Sequence, residues 1–391
     1  MGKRQAIVIG GGIGGLTAAL ALHRQGVPVT VHERAASLEP VGAGLALAPN
    51  ALRALDRLGV GDRLRALATP YPALGLRRPS GRWLARTSSS AVEAYFGDTV
   101  AAVARADVIA ALVDALPAGT VRTGSPAELV RPGDTGSPAV VRTADGEQPA
   151  ALVVGADGIR SATRGALFPR HPGPRYSGFT TWRTMVTPAR PPAAVGEVWG
   201  RGRLAGVVPL ADGRVYVYGA ALAPAGERAA SEHAELLRRY GDWCAPVPQL
   251  LALADPERIL RHDVWDLADP LPAYHHGRVA LLGDAAHAMS PFQGQGACQA
   301  IEDAVVLASP LSPGDDPATT LPGYTAARLP RTTAIVTGSR RIGALVAVRS
   351  PAAALLRDTV LALGGLLPTR ALLSRSAATY DWQPPAPRGA A

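Results

Sequence analysis

Short continuous apolar runs bounded by glycine, alternating with stretches of helical period, open the chain and return near its end. Residues 6–9 form an apolar β-type run, residues 16–23 a helix-like run, and residues 27–32 a second strand ending at Glu33. Runs of this length with these flanks predict a β-α-β start. After a loop at Gly42-Ala43-Gly44 the pattern predicts a helix over 50–58, short β pieces at 75–77 and 82–85, and a helix over 105–116. Strand pairs over 119–129 and 140–147 then lead to a buried strand, 151–155, with Asp157 just past its carboxyl end. From 177 to 265 the character changes to strands separated by Gly and Pro turns: 180–186, 196–199, 203–209 and 214–220, with one amphipathic helix over 231–240. The earlier grammar returns with a strand over 278–283 and a helix over 296–307. Apolar helices over 331–375, broken at Pro351 and Pro368, close the chain, and the Pro-rich tail after Trp382 reads as frayed. No internal repeat is present.

Chemistry enters through three glycine-bearing stretches. Gly10-Gly11-Gly12-Ile13-Gly14-Gly15 lies between the first strand and helix, the context a dinucleotide turn needs. Gly10 and Gly12 permit the tight turn, Gly15 lets the helix pack on the strand, and the free amides at the helix start, Ile13 and Gly14, can hold a pyrophosphate. Glu33 ends the second strand, where a carboxylate accepts from ribose hydroxyls; the bland alternative is a solvated strand-end charge. The other two stretches are Gly155-Ala156-Asp157-Gly158, and Gly283-Asp284 followed by Pro291-Phe292-Gln293-Gly294-Gln295-Gly296. The predicted fold class is therefore α/β. A Rossmann-like nucleotide domain (1–70, 98–176 and 266–385, including the C-terminal helices) is interrupted by a mostly β substrate domain (71–97 and 177–265).

Composition narrows the function classes. With 391 residues, 47% of them hydrophobic, the chain can bury a large core in one or two interlocked domains. Lys3 and Arg4 precede an apolar stretch as in a secretory signal, but five of the seven residues from 10 to 16 are glycine, which excludes that reading. No apolar run reaches the roughly 18 residues of a membrane span, so no transmembrane segment is expected. Cys244 and Cys298 are too few for a disulfide framework and form no metal cluster, which fits a reducing cytoplasm. The net charge of +9 comes from arginines spread along the chain, Lys3 being the sole lysine. It forms no basic block, and nucleic acid is not an expected partner.

The order of the three motifs, over roughly residues 5–310, resembles the single-component FAD-dependent aromatic hydroxylases, the flavoprotein monooxygenases of the para-hydroxybenzoate hydroxylase type. The resemblance implies that the first glycine run and Glu33-Arg34 hold the ADP half of FAD and that Gly44 sits beside the flavin. Arg105, within Val103-Ala104-Arg105-Ala106-Asp107-Val108, matches the family's flavin-binding arginine, with Val108 where leucine is more usual. Asp157 and Gly158 match the motif serving both FAD and the nicotinamide nucleotide, although Asp157 equally reads as an N-cap. Asp284 would hold the ribityl and pyrophosphate region. A helix starting near 294–297 would point its amides and positive dipole end at the flavin, worth about 0.3–2 kcal/mol per charge, and Gly294, Gln295, Gly296 and Ala297 form that start. Glycines there leave no side chain between backbone and ring.

The implied chemistry is reduction of FAD by NADPH or NADH, reaction with O2 to a flavin C4a-hydroperoxide, and hydroxylation of an aromatic or similarly electron-rich small molecule. The cofactor performs the hard steps and the protein supplies orientation, dryness and electrostatics. No metal is expected, since His262, His275, His276 and His287 lack zinc-type spacing; His287, in Gly283-Asp284-Ala285-Ala286-His287, recurs in the family motif and reads at least equally as a loop-packing residue. Period two puts Arg214, Tyr216 and Tyr218 on one face of their strand, and Thr181, Arg183 and Met185 on one face of theirs with Trp182 opposite. Tyr216 or Tyr218 can bond a phenol, and Arg183 or Arg203 can steady a carboxylate or phenolate. Surface or structural roles are open for each. The catalytic candidates are Arg183, Tyr216 and Pro291, with Phe292 bordering the reacting centre. An alkene epoxidase and a non-catalytic flavoprotein sheltering a reactive intermediate remain as alternatives. A flavin halogenase does not, because it needs a lysine between flavin and substrate. The residues leave open the aromatic or polyene substrate, NADPH against NADH, and monomer against homodimer.

Overall fold

Ala6–Ile9 and Val29–His32 lie side by side as parallel strands joined by the helix Ile13–Arg24. The computed structural model describes residues 5–38, 44–69, 74–192 and 195–386, so Gly42 and Ala43 lie outside the described residues. In it this β-α-β unit sits inside a six-stranded sheet ordered His275–His276, Val279–Leu281, Leu152–Gly155, Ala6–Ile9, Val29–His32, Val121–Arg122. Every neighbouring pair is parallel except the first. Parallel strands end at one edge, so the turns bearing Gly10–Gly12, Glu33, Asp157 and Asp284 meet there, as open α/β sheets arrange their ligand crevices.

Glycine sets the closeness of that packing. A Cβ at Gly15 would overlap the Gly10 carbonyl oxygen, and one at Gly14 would stand 2.7 Å from Leu282 Cδ1 and 3.1 Å from Ala300 Cβ. The first helix is thereby wedged between the sheet and the helix Gly296–Ala308. Burial of Leu16, Leu20, Leu22, Val31, Leu52, Ile301 and their neighbours forms the main core.

A second, seven-stranded sheet is ordered Leu260–Asp266, Arg175–Val186, Val215–Leu222, Arg203–Pro209, Val195–Trp199, Leu74–Arg77, Trp83–Thr87. Its two faces follow the period of two. Trp182, Val207, Val215, Val217 and Val198 pack on one side with Tyr240 and Trp243, covered by the helices Glu232–Tyr240 and Val247–Ala252. The opposite face meets Ala102, Ala104, Phe292 and Ile342 and so looks toward the nucleotide crevice.

Three expectations change. The pairs over 119–129 and 140–147 are divided: Val121–Arg122 is the edge of the parallel sheet, while Glu128–Arg131, Ala139–Thr143 and Gly146–Ala150 form a separate antiparallel sheet. The helix Ser89–Phe96 was not foreseen, although Ser88 Oγ accepts from Ala91 N at its start and left-handed Gly97 ends it. The largest change is the helix Pro317–Val346, expected from 331. Interior proline costs about 3 kcal/mol, yet this helix runs through Pro322 and Pro330. Tertiary ties hold it: Tyr324 OH donates to the Leu281 carbonyl at 2.9 Å, and Arg328 and Arg331 bind the helix Gly296–Ala308. The tail is anchored as far as Trp382, whose ring lies under Arg328 and Arg331. Among the described residues no helix is long and apolar enough to cross a membrane.

Candidate functional site

The glycine turn is braced by its own carboxylate. Gly11 N donates to Glu33 Oε2 at 2.7 Å and Ala35 N to Glu33 Oε1 at 2.8 Å, which leaves each oxygen a further lone pair. Arg34 is exposed beside it. Across the crevice stands Arg105, first residue of the helix Arg105–Asp114, delivered by the strand Ala101–Ala104 that pairs Ala104 with Gly44. Its guanidinium makes no hydrogen bond among the described residues. Burial lowers its pKa, Asp284 opposes that, and Arg183 adds to it.

Asp157 is committed to capping. Ser161 Oγ donates to Oδ1 at 2.6 Å, while Thr163 N and Oγ1 each donate to Oδ2 at 3.0 Å, so the carboxylate fixes the start of the helix Ala162–Leu167. Arg164, which sequence reasoning missed, is buried between the two acidic loops and donates to the carbonyls of Ala285 at 3.1 Å and Ile159 at 2.6 Å. Asp284 is exposed toward the crevice. Desolvation by the surrounding protein raises its pKa, against the pull of His287, Arg105 and Arg164.

Beneath the Gly283–His287 turn lies a buried charge network. Asp303 Oδ2 accepts from Gly283 N at 2.9 Å and pairs with His287 Nε2 at 2.6 Å, while Arg328 Nε donates to Oδ1 at 2.6 Å. Glu302 takes Arg328, Arg331 and Asn50, and Asn50 Nδ2 also reaches Gln295 Oε1 at 3.1 Å. His287 is thus the loop-packing residue of the two readings above, and the Gln295 side chain belongs to the network. Together these bonds hold the amino end of Gly296–Ala308 in place, with Gly294 exposed and Gly296 and Ala297 half-buried at its start.

The facing sheet supplies the other wall. Tyr216 lies flat on Gly44, where a Cβ would meet its ring at 2.8 Å, and its ring centroid is 5.4 Å from that of Tyr218. Arg183 stands beside Tyr216 and places Nη2 3.1 Å from His262 Nδ1. Burial pushes the Tyr216 phenol up to about 12, with Arg183 opposing. Pro291 is exposed at the start of the turn Pro291–Gln293, and Phe292 packs edge-on against Phe179 at 4.9 Å. One sequence candidate, Arg203, and one residue expected on the Tyr216 face, Arg214, leave the group. Arg203 points to the far face, 5.4 Å over the Trp243 ring, because it occupies the other phase of its strand. Arg214 precedes its strand and is held outward by Asp212. Glu197, bonded to Tyr218, was missed, since one glutamate in a β run has no local signature. A separate cavity of about 240 Å³ near Gly26, Val27, Ala151 and Leu311 lies at the amino edge of the parallel strands, away from all these groups.

A braced glycine turn, a half-buried arginine without hydrogen-bond partners among the described residues, and an open cradle before a helix amino terminus define a flavin-dinucleotide oxidoreductase. The chain belongs to the family described as FAD binding domain, whose model matches residues 3–339. It is 38% identical over 341 residues to an aurachin C monooxygenase/isomerase of Stigmatella aurantiaca, covering 86% of this chain and 88% of that protein. It is also 38% identical over 353 residues to a 3-amino-4-hydroxybenzoate 2-monooxygenase of Streptomyces platensis, covering 86% and 87%. The structure of Klebsiella pneumoniae HpxO complexed with FAD and uric acid superposes with a TM-score of 0.84 at 30% identity, covering 93% of each chain. The chain is accordingly a FAD-dependent monooxygenase of the aromatic hydroxylase class, in which NAD(P)H is the reductant, and the non-catalytic alternative finds no support. The cradle fits FAD on its own evidence. Among the described residues a Cβ at Gly12 would meet only Arg105 Nη2 at 4.0 Å, one at Gly296 only Met289 Cγ at 4.0 Å, and one at Gly294 or Gly158 nothing within 4 Å.

Proposed function

We propose that this chain hydroxylates a small aromatic molecule held between the seven-stranded sheet and the glycine cradle, with Arg183, Tyr216 and Pro291 as the residues nearest the chemistry. The observation that supports this is Tyr216 lying on Gly44 with Arg183 beside it, a cation and a phenol on the sheet face that looks into the FAD crevice.

When bound, FAD supplies electron transfer from NAD(P)H and insertion of one oxygen atom from O2. The chain supplies the rest. The amides of Ile13 and Gly14, with Gly10, Gly12 and Gly15 allowing close approach, hold the pyrophosphate, and the spare lone pairs of Glu33 take the ribose hydroxyls with Arg34 at the rim. Arg105 and Asp284 grip the middle of the cofactor; Asp157 and Gly158 shape the adjoining turn. Gly44 on one side and Gly294, Gln295, Gly296 and Ala297 on the other border the ring, the helix start favouring negative charge there. Arg183 stabilises a phenolate oxygen, which activates the ring toward an electrophilic oxygen. Tyr216, protonated throughout the physiological range, donates a hydrogen bond to it. Pro291 and Phe292 exclude water.

The division into 1–70, 98–176 and 266–385 against 71–97 and 177–265 is supported by Leu74–Arg77 and Trp83–Thr87 joining the same sheet as Arg175–Val186. Free Cys244 and Cys298 suit a reducing cytoplasm, and the chain acts as a monomer or homodimer. Arg105→Ala and Asp284→Ala test the map. Each is expected to weaken FAD binding by at least about tenfold, read from visible absorbance after gel filtration, with unchanged far-UV circular dichroism. Full retention of cofactor by both would overturn it. In the parent protein NAD(P)H oxidation should accelerate when a suitable aromatic is added.

A further inference from the structure

One carboxylate on the crevice-facing side of the sheet has no cation beside it. Arg183 stands opposite Tyr218, Tyr218 opposite Gly206, and Gly206 opposite Glu197, so the row crosses four strands on one face. With strands about 4.8 Å apart, the backbones of Arg183 and Glu197 are separated by roughly 14 Å, a span suited to a substituted aromatic between a cation and an anion. Gly206 completes the row, because a Cβ there would overlap the Tyr218 ring that crosses it. Tyr218 OH donates to Glu197 Oε1 at 2.7 Å, and Trp199, two residues on and therefore on the same face, donates Nε1 to Oε2 at 2.7 Å.

Both donors are neutral. Among the described residues no arginine or histidine pairs with Glu197, and enclosure pushes its pKa above the ordinary carboxylate range. Phe179, Leu204, Phe292, Ile342 and Val346 surround the row with apolar surface. An apolar residue would serve packing there at less cost than a carboxylate without a counter-ion. Glu197 nevertheless keeps some solvent access, and strand register puts it on the crevice-facing side of the sheet.

We propose that Glu197 is the substrate-recognition carboxylate of this site, and that the substrate is an aromatic bearing an N–H or ammonium donor for Glu197 and an oxygen substituent for Arg183 and Tyr216. This rests on the reading of the sheet face as the aromatic site. A charge-assisted hydrogen bond to a half-buried carboxylate discriminates against a partner lacking the donor.

The test is calorimetric titration of the FAD-loaded protein with matched pairs whose nitrogen and oxygen lie at opposite ends of the ring system, para-aminophenol against phenol and 5-hydroxyindole against N-methyl-5-hydroxyindole. The parent should prefer the N–H member of each pair by about 10- to 100-fold. Glu197→Gln, with FAD content and thermal midpoint as the control for folding, should reduce that preference to below about threefold. Tyr218→Phe removes one neutral donor but leaves the carboxylate, and should keep or increase the preference, whereas a purely structural role for the pair predicts its loss. Equal binding within pairs by the parent, or a preference that survives Glu197→Gln, would overturn the proposal. Binding of no member of either pair would instead remove the aromatic-site reading beneath it.

Discussion

Gly206 and Asp303 show how single residues set this site. Gly206→Ala puts a methyl group into the Tyr218 ring and should force the phenol off Glu197. Overpacking of this kind costs about 1–3 kcal/mol, measurable by chemical denaturation, and a variant as stable as the parent would contradict the packing described. Asp303 carries a pH prediction. Burial pushes its pKa up, but His287, Arg328 and the Gly283 amide outweigh this and hold it at about 2, below the unfolded 3.8. A lowered folded pKa means the stabilisation is present above the unfolded value and is lost as the pH falls from about 4 toward about 2. Acid unfolding should therefore steepen in that window, and Asp303→Asn should flatten it. Gly10–Gly15, Glu33, Arg105 and Asp284 were legible as candidates because a motif fixes their chain neighbours. Glu197 and Arg164 were not, since their meaning comes from residues far away in sequence.

Among the elements, the helix Pro317–Val346 acts as a brace for the turn before the cradle. Ser339 Oγ donates to the Ser290 carbonyl at 2.6 Å, and a Cβ at Gly343 would stand 2.7 Å from the Phe292 ring. Gly343→Val should push Phe292 toward the crevice. The expected result is weaker aromatic binding by about tenfold with FAD content retained, read by titration and absorbance. Unaltered aromatic affinity would show the brace to be irrelevant. Strand and helix types over the β-α-β start and the inserted sheet were readable from periodicity, because burial on one face imposes it. This helix was not, because Pro322 and Pro330 argue locally against a helix that buried ion pairs to Glu302 and Asp303 sustain.

At the scale of the whole molecule, the glycine cradle proposed for FAD opens between the two sheets, so a cofactor bound there would link them. A ligand that binds only the native state stabilises it by RT ln(1 + [L]/Kd), about 2.7 kcal/mol at a hundredfold excess over Kd. Removal of FAD should lower the thermal midpoint by a few degrees, and calorimetry of apo and reloaded protein checks this. By itself the sequence determined the glycine turn, the alternation of strands and helices, and the class of cofactor, because those depend on neighbours along the chain. Only the tertiary structure decided which side chains share the crevice. Strand register set Arg183, Tyr218 and Glu197 in one row, and strand phase turned Arg203 away. Register, and which of the two alternating faces turns to the crevice, are fixed by hydrogen bonds and packing between distant segments, which the local alternation alone does not specify.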